Sequence, residues 1–63
     1  MTYNPKPLQR ARIIQGWTYD ALARRSKLSI GTVYNTIQGY SASLRSVNRL
    51  CEVLSIPAER VWR

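Results

Sequence analysis

The segment "TYDALARRSKLSIGTVYNTIQG", which runs from Thr18 to Gly39, predicts two short helices separated by a tight turn. Thr18 is a suitable N-cap, because its hydroxyl can accept a hydrogen bond from a backbone N–H of the next turn. Trp17 precedes this cap and Leu22 follows it four positions later, as in a hydrophobic staple. The first of the two helices should therefore begin at Thr18.

The same pattern recurs eleven residues further along the chain. Leu28 precedes Ser29, and Val33 follows it four positions later. This second helix should span Ser29–Gln38 and end at Gly39, which can adopt the left-handed conformation of a C-cap. Because only residues 27–29 separate the two helices, the segment is typical of a helix-turn-helix unit.

The N-terminal part of the chain divides into two segments. The stretch "MTYNPKP", residues 1–7, has two prolines and no hydrophobic period, so a flexible arm is expected. From Leu8 to Gln15, the apolar residues Leu8, Ala11 and Ile14 recur at helical spacing, and Gly16 should end that helix. Residues 8–63 would then form the folded domain.

Two further helices are expected after Gly39. Ser43 is a plausible N-cap for an amphipathic helix whose apolar face is formed by Leu44, Val47, Leu50, Cys51 and Leu54. Pro57 suits the first position of a last short helix that carries Val61 and Trp62. No alternating run of β-branched residues indicates a strand, so the predicted fold is all-α with five short helices.

Composition limits the possible functions. The 63 residues suffice for one small domain, and one Cys with no His leaves neither a disulfide nor a Cys/His zinc site within the chain. We therefore expect no metal and no cofactor. With three acids besides, no nucleophile and base pair is visible, so an enzyme is not expected. No long apolar run indicates a signal peptide or membrane span, and a cytoplasmic, nucleoid-associated location is expected.

Charge is the most unbalanced property of the chain. Ten Lys and Arg residues against three acids give a formal net charge of +7. A charge of this sign favours phosphate polymers or anionic membrane surfaces as partners. No segment combines a basic face with the wide apolar face that membrane-surface binding needs, so nucleic acid is the favoured partner.

Over roughly Leu8 to Trp62, the chain resembles the helix-turn-helix domain of lambda-repressor-like phage repressors and Cro proteins. The matching positions, in order, are Gly16, Trp17, Thr18, Leu22, Ala23, Leu28, Ser29, Val33 and Gly39, followed by the segment "SLRSVNRLCEVLSIPAERVW". The resemblance implies a transcriptional regulator, such as a phage or bacterial repressor, that places its third helix in the major groove of DNA. It also implies a homodimer on a palindromic operator.

Several positions depart from the pattern of that family. Lys27 stands where a Gly is usual, and Tyr19 stands where a phosphate-contacting Gln is common. Ser26 and Thr36 replace larger apolar residues. Ile37 replaces a Glu that pairs with an Arg of the first helix, here Arg12. That Arg should then contact Glu52 or Glu59, or point to solvent or phosphate.

The third helix has two distinct faces. At 100° per residue, Val33, Thr36 and Ile37 fall on one side, which should face the core. The other residues form the side that a helix would present to the major groove. Asn35 and Gln38 can pair bidentately with adenine, while Ile30 and Tyr34 can contact thymine methyl groups. The expected base-contacting residues are Ile30, Gly31, Tyr34, Asn35 and Gln38.

Phosphate contacts are expected at helix N-termini, where backbone N–H groups are free, and at nearby cations. The expected set is Thr18, Tyr19, Lys27, Ser29, Thr32, Ser43 and Arg45, of which Arg45 is a position that contacts the DNA backbone or minor groove in the family. The remaining cations Arg24, Arg25, Arg49, Arg60 and Arg63 are expected on a solvated surface.

Predictions also follow for two further residues and for the function of the chain. Cys51 is expected to be a small buried hydrophobic residue. Trp62 either closes the core or meets a second subunit in a homodimer. The predicted function is sequence-specific binding of double-stranded DNA, with no small-molecule ligand because no second domain could hold an inducer. The alternative is the same fold used as a protein-interaction module, as in an adaptor or antitoxin.

Overall fold

The structure, a computed structural model, describes residues 2–63 and is all-α over that range. Four α-helices follow one another: α1 (Lys6–Gln15), α2 (Tyr19–Ser26), α3 (Ile30–Gln38) and α4 (Leu44–Leu54). In place of the predicted fifth helix, the chain forms a single 3₁₀ turn at Ala58–Arg60. The prediction of five helices was therefore wrong. Pro57 is extended and is the N-cap of this turn instead of its first residue, and Val61, which follows the turn, is fully buried in the core.

The boundaries of α2 and α3 follow the predicted caps. Thr18 Oγ1 accepts a hydrogen bond from the Ala21 N–H at 3.1 Å, and Ser29 Oγ accepts one from the Thr32 N–H at 3.2 Å. Gly39 ends α3 with φ 87°. Ser43 precedes α4 as predicted, but its side chain makes no capping hydrogen bond.

One core lies between the four helices. The α2 helix packs on α3 and α4, and α1 packs on α3 and α4. The prediction that Cys51 is buried is confirmed. Buried apolar residues come from every helix and from the C-terminal segment: Leu8, Ala11, Leu22, Ala23, Val33, Ile37, Val47, Leu50, Cys51, Leu54 and Val61.

Two residues predicted for the core face lie on the surface. Ile14 is 81% exposed and Leu44 is 54% exposed. At 100° per residue, Ile14 lies about 120° around α1 from the fully buried Leu8. Leu44 lies roughly 90° from the centre of the buried stripe of α4 and on its first turn. The spacing of the apolar residues predicted the two helices correctly, but neither side chain lies on the side that meets another helix.

The N-terminal segment is not a free arm over the residues that the structure describes. The Thr2 N–H donates to the Arg63 carbonyl at 2.7 Å, the Arg63 N–H returns a bond to Thr2 at 2.9 Å, and the Asn4 N–H donates to Val61 at 2.7 Å. Residues 2–4 thus pair with the chain's last three residues; Met1 lies outside the described range.

The two prolines of the N-terminal segment start a helix and do not mark a loop. Pro5 is the N-cap of α1 and Pro7 lies in its first turn, where the missing N–H has no intrahelical partner in any case. Asn4 Oδ1 accepts from the Lys6 N–H at 3.2 Å and so supports the same helix end. Helix α1 therefore begins two residues earlier than predicted.

Trp62 packs within its own chain. Its ring lies 5.4 Å from the ring of Tyr3, and its Nε1 donates to Asn48 Oδ1 at 3.2 Å. Because the side chain is half-buried and its only polar group is satisfied, Trp62 closes the core between the N-terminal segment and α4.

The end of α2 is tied to α4. Lys27 follows α2 in the left-handed region with φ 59°, a conformation that disfavours any residue with a Cβ atom. Arg49 Nη1 donates to the Ser26 carbonyl at 3.1 Å. The prediction that Arg49 is a freely solvated cation was therefore wrong. The buried Ser26 hydroxyl donates to the Leu22 carbonyl at 2.6 Å.

Relief of left-handed strain should stabilise this fold. Lys27→Gly should raise the free energy of unfolding by about 1 kcal/mol, because Gly adopts positive φ without a steric cost. Ser55→Gly is the matched variant, since Ser55 ends α4 with the same φ of 59°. Urea denaturation followed by far-UV circular dichroism measures both, and a loss of stability in both variants would contradict the assigned backbone.

Tyr3 should make stability depend on alkaline pH. Burial, and secondarily the nearby Cys51, raises the pKa of Tyr3 from 10.0 to about 12. The folded chain thus holds the phenol proton more tightly than the unfolded chain, so this stabilisation is complete below pH 10 and is lost as pH rises through about 12. The Tyr3 hydroxyl donates to the Thr36 carbonyl at 2.7 Å, so Tyr3→Phe should cost about 1 kcal/mol near neutral pH.

The difference in unfolding free energy between the unchanged chain and Tyr3→Phe should therefore shrink above pH 10. Urea denaturation of both proteins across this range measures it. Cys51 is present in both, so its own titration affects both in the same direction. Parallel pH profiles would rule out Tyr3 as the source.

Candidate nucleic-acid interface

Helix α3 presents one polar side to solvent. Gly31, Asn35 and Gln38 are exposed, whereas Val33, Thr36 and Ile37 on the opposite side are almost completely buried. The division of this helix predicted from its periodicity is therefore confirmed. It follows that the predicted base-contacting side is accessible along the whole of α3.

The two amides on this side are not equivalent. Gln38 Nε2 donates to the Tyr19 hydroxyl at 2.8 Å, so one of its hydrogen-bonding groups is already in use. Asn35 makes no side-chain hydrogen bond to any of residues 2–63, although its carbonyl accepts from the Tyr40 and Ser41 N–H groups. Asn35 therefore has its full amide free to contact a ligand.

Three tyrosines lie beside these amides. The Tyr19 and Tyr34 rings meet edge to face at 5.3 Å, and Tyr40 lies 6.4 Å from Tyr34. Tyr34 is 44% exposed and Tyr40 is 75% exposed, so the cluster has an accessible apolar edge. Tyr40 was not among the predicted site residues. The signal available in the sequence was its place directly after the Gly39 cap, where the chain turns back beside α3.

Arg12, on α1, packs against the tyrosine cluster through Tyr19. Its guanidinium carbon lies 4.5 Å from the centre of the Tyr19 ring, and its Nη1 donates to the Trp17 carbonyl at 3.0 Å. Of the alternatives predicted for Arg12, an ion pair to Glu52 or Glu59 does not form among the described residues, so that alternative was wrong. With Ile37 in place of an acid, the face of an aromatic ring is the available site for the charge. Arg12 Nε is buried and has no partner there, which leaves part of its desolvation cost unmet.

The start of α3 is apolar and narrow. Ile30 is 52% exposed, and a Cβ atom built on Gly31 would meet nothing within 4 Å. Nothing in the fold therefore requires Gly at position 31. Behind this tip, the Ser29 and Thr32 hydroxyls are hydrogen-bonded to each other at 2.7 Å, so each has reduced capacity for a phosphate oxygen.

The predicted phosphate-contacting residues lie in different places. Ser43 and Arg45 are exposed at the start of α4, and Thr18 is exposed at the start of α2. Lys27 lines a separate surface cleft with Arg25 and Arg49. The structure thus groups Ser43 with Arg45 and places Lys27 with other cations.

Two other features, a cluster of metal ligands and a membrane-spanning helix, are absent from the part of the chain that the structure describes. Residues 2–63 contain no group of three or more His, Cys, Asp or Glu side chains placed to hold a metal ion. Over the same residues, every helix is too short or too polar to cross a membrane. Comparison with protein-family models, with curated proteins and with solved structures finds no match to the chain.

Gly31→Ala tests whether the tip of α3 makes a close contact. Because the added methyl has open space and Ala favours a helix, the variant should be more stable by up to about 1 kcal/mol. If α3 approaches a ligand at its tip, the same variant should bind DNA more weakly. Thermal unfolding and a DNA-binding titration measure the two effects. Equal or tighter DNA binding would show that the tip makes no close contact.

Proposed function

We propose that this chain is a sequence-specific regulator that binds double-stranded DNA through a helix-turn-helix formed by α2, the turn at residues 27–29 and α3. The observation that carries the proposal is the exposed polar side of α3, held outward by a buried apolar side. The major groove of B-DNA, about 12 Å wide, admits an α-helix in this orientation. The resemblance to lambda-repressor-like domains supports the same assignment.

In this proposal Asn35 is the principal base reader. Its side-chain amide is exposed and free of hydrogen bonds to residues 2–63, and an amide can donate to and accept from adenine at once. Gln38, held by Tyr19, reads through its remaining polar atoms. Ile30 and Tyr34 contact thymine methyl groups, because both are exposed beside the amides.

Phosphate contacts supply most of the affinity in this scheme. Arg45 and Ser43 at the start of α4 bind one phosphate, together with the free backbone N–H groups of that helix end. Thr18 and Ser29 contribute the N-termini of α2 and α3. The net charge of +7 adds long-range attraction that depends on salt.

We further propose a homodimer on a pseudo-palindromic site, because one helix with a few readers gives only modest discrimination. The polar group of Trp62 already has a partner within its own chain, so we propose that the contact between the two subunits lies elsewhere. Tyr40 and Leu44, exposed on the loop between α3 and α4 and at the start of α4, are the apolar residues available near the DNA-facing side.

A second candidate function is a protein-interaction module. The exposed apolar residues Ile30, Tyr34, Tyr40 and Leu44 lie between the first residue of α3 and the first residue of α4, and such residues are typical of protein contacts. Selection of bound sequences from a random double-stranded DNA pool separates the two functions. A two-fold symmetric motif supports the regulator, whereas the absence of any enriched sequence supports the interaction module.

Substitutions on the selected DNA should distinguish base readers from phosphate contacts. Asn35→Ala should cost about 1–3 kcal/mol on the preferred sequence and relax the preference at one base pair per half-site. Arg45→Ala should weaken binding to all sequences alike and reduce the slope of log affinity against log salt by about 1. Fluorescence anisotropy across salt concentrations measures both.

Arg10→Ala, on the exposed side of α1, is the control for lost charge alone. It should leave the base preference unchanged. Binding by Asn35→Ala with an unaltered preference at every position would exclude Asn35 as a base reader.

A further inference from the structure

A second basic surface lies away from α2 and α3. A cleft of about 570 Å³ runs between α1 and the C-terminal segment. We call it the α1 cleft and define it by six of its lining residues: Lys6, Arg10, Ile14, Ile56, Arg60 and Arg63. No residue of α2 or α3 lines it, so it is separate from the proposed DNA-binding face.

Charge in the α1 cleft is strongly unbalanced. Four cations line it against one carboxylate, that of Glu59. The ion pair found among residues 2–63 joins Arg24 to Asp20 at 3.2 Å, on α2, so no cation of the cleft is neutralised within that part of the chain. Several unpaired cations along one groove attract an anionic partner.

Apolar side chains lie between these cations. Ile14 is 81% exposed and Ile56 is half-buried against the core, and the two line the same cleft. A single exposed Ile is ordinary. An exposed Ile beside the half-buried Ile56, in a cleft that Arg10 and Arg60 also line, gives a surface with both apolar and charged groups, as in a protein-binding groove.

We propose that the α1 cleft binds an acidic segment of a partner protein, with carboxylates on Arg10 and Arg60 and an apolar side chain on Ile14 and Ile56. Lys6, Arg10 and Ile14 follow one another at intervals of four residues, about 6 Å each along α1. A segment lying along α1 would therefore present a carboxylate to Arg10 and, about one helical turn further along, an apolar residue to Ile14.

The apolar lining residues Ile14 and Ile56 are the reason to assign a peptide and not a nucleic acid or a membrane. A phosphate backbone gains nothing from Ile14, and a bilayer surface requires a wider continuous apolar face. Because the cleft shares no residue with α3, both surfaces can be occupied at once. The chain would then connect its DNA site to an acidic partner.

The experiment uses the whole chain and a synthetic peptide that combines glutamates with leucines. The control peptide carries glutamine in place of each glutamate. Isothermal titration calorimetry should show binding of the acidic peptide that weakens with added salt, and little binding of the glutamine peptide. The double variant Arg10→Glu/Arg60→Glu should lower affinity by at least about tenfold.

Two further variants separate this site from general attraction. Arg24→Glu/Arg25→Glu changes the net charge equally but lies on α2, and should retain most of the affinity. Ile14→Asn removes one apolar side chain of the cleft at an exposed position, so the variant should fold normally and bind the peptide more weakly. Thermal unfolding of each variant confirms that it is folded.

Five results would overturn the proposal. The first four are equal binding of both peptides; equal losses in both double variants; a concentration-dependent dimer abolished by Ile14→Asn; and binding of phosphatidylglycerol vesicles in place of the peptide. A loss of DNA affinity in Arg10→Glu/Arg60→Glu beyond that of Arg24→Glu/Arg25→Glu would assign the cleft to DNA and would also overturn it. None of these results alters the DNA-selection experiment, so the two proposals fail separately.

Discussion

The left-handed turn at Lys27 is the constraint on which the rest of the structure depends. Its φ of 59° sets the direction in which α3 leaves α2, and a residue with a Cβ atom adopts that conformation only at a cost. The cost is offset on both sides of the turn. Arg49 donates to the Ser26 carbonyl from α4, and Leu22 and Val33 are completely buried on the two helices that the turn connects. The orientation of the polar side of α3 is therefore a consequence of core packing, and not of any contact that α3 makes at its own surface.

The features that could be predicted from sequence are those determined by neighbouring residues. The caps at Thr18 and Ser29 act within one helical turn, so their positions fixed the starts of α2 and α3 in advance. Contacts between distant segments could not be predicted in this way. The pairing of Thr2 with Arg63 joins opposite ends of the chain, and nothing local to either residue indicates it. Ile14 shows the intermediate case, because its spacing indicated a helix but only the position of the neighbouring helices decided which side was buried.

Side-chain contacts in the candidate interface could also be predicted from the sequence only where they are local. Periodicity sufficed to place Asn35 on the exposed side of α3, but the tyrosine cluster depends on Arg12, which comes from another helix. Arg12 orders Tyr19, and Tyr19 in turn accepts a hydrogen bond from Gln38. In the proposed DNA complex, an amide held in this way would lose less conformational entropy on binding, whereas the free amide of Asn35 would lose more. The two amides of one helix face should therefore contribute differently to affinity even with identical contacts to bases.

The distribution of charge bears on how one small basic chain could have the two surfaces of different specificity that are proposed here. Attraction between a net charge of +7 and any polyanion is long-range, but at physiological ionic strength it is screened beyond about 8 Å. What selects a partner is therefore the chemistry beside the cations. On α3 that chemistry is an amide, which is proposed to recognise base edges; in the α1 cleft it is Ile14 and Ile56, which are proposed to recognise an apolar side chain. Added salt weakens the electrostatic part of both interactions but leaves burial of apolar surface largely intact. The dependence on salt should therefore be shallower at the α1 cleft than at α3, where phosphate contacts provide most of the free energy.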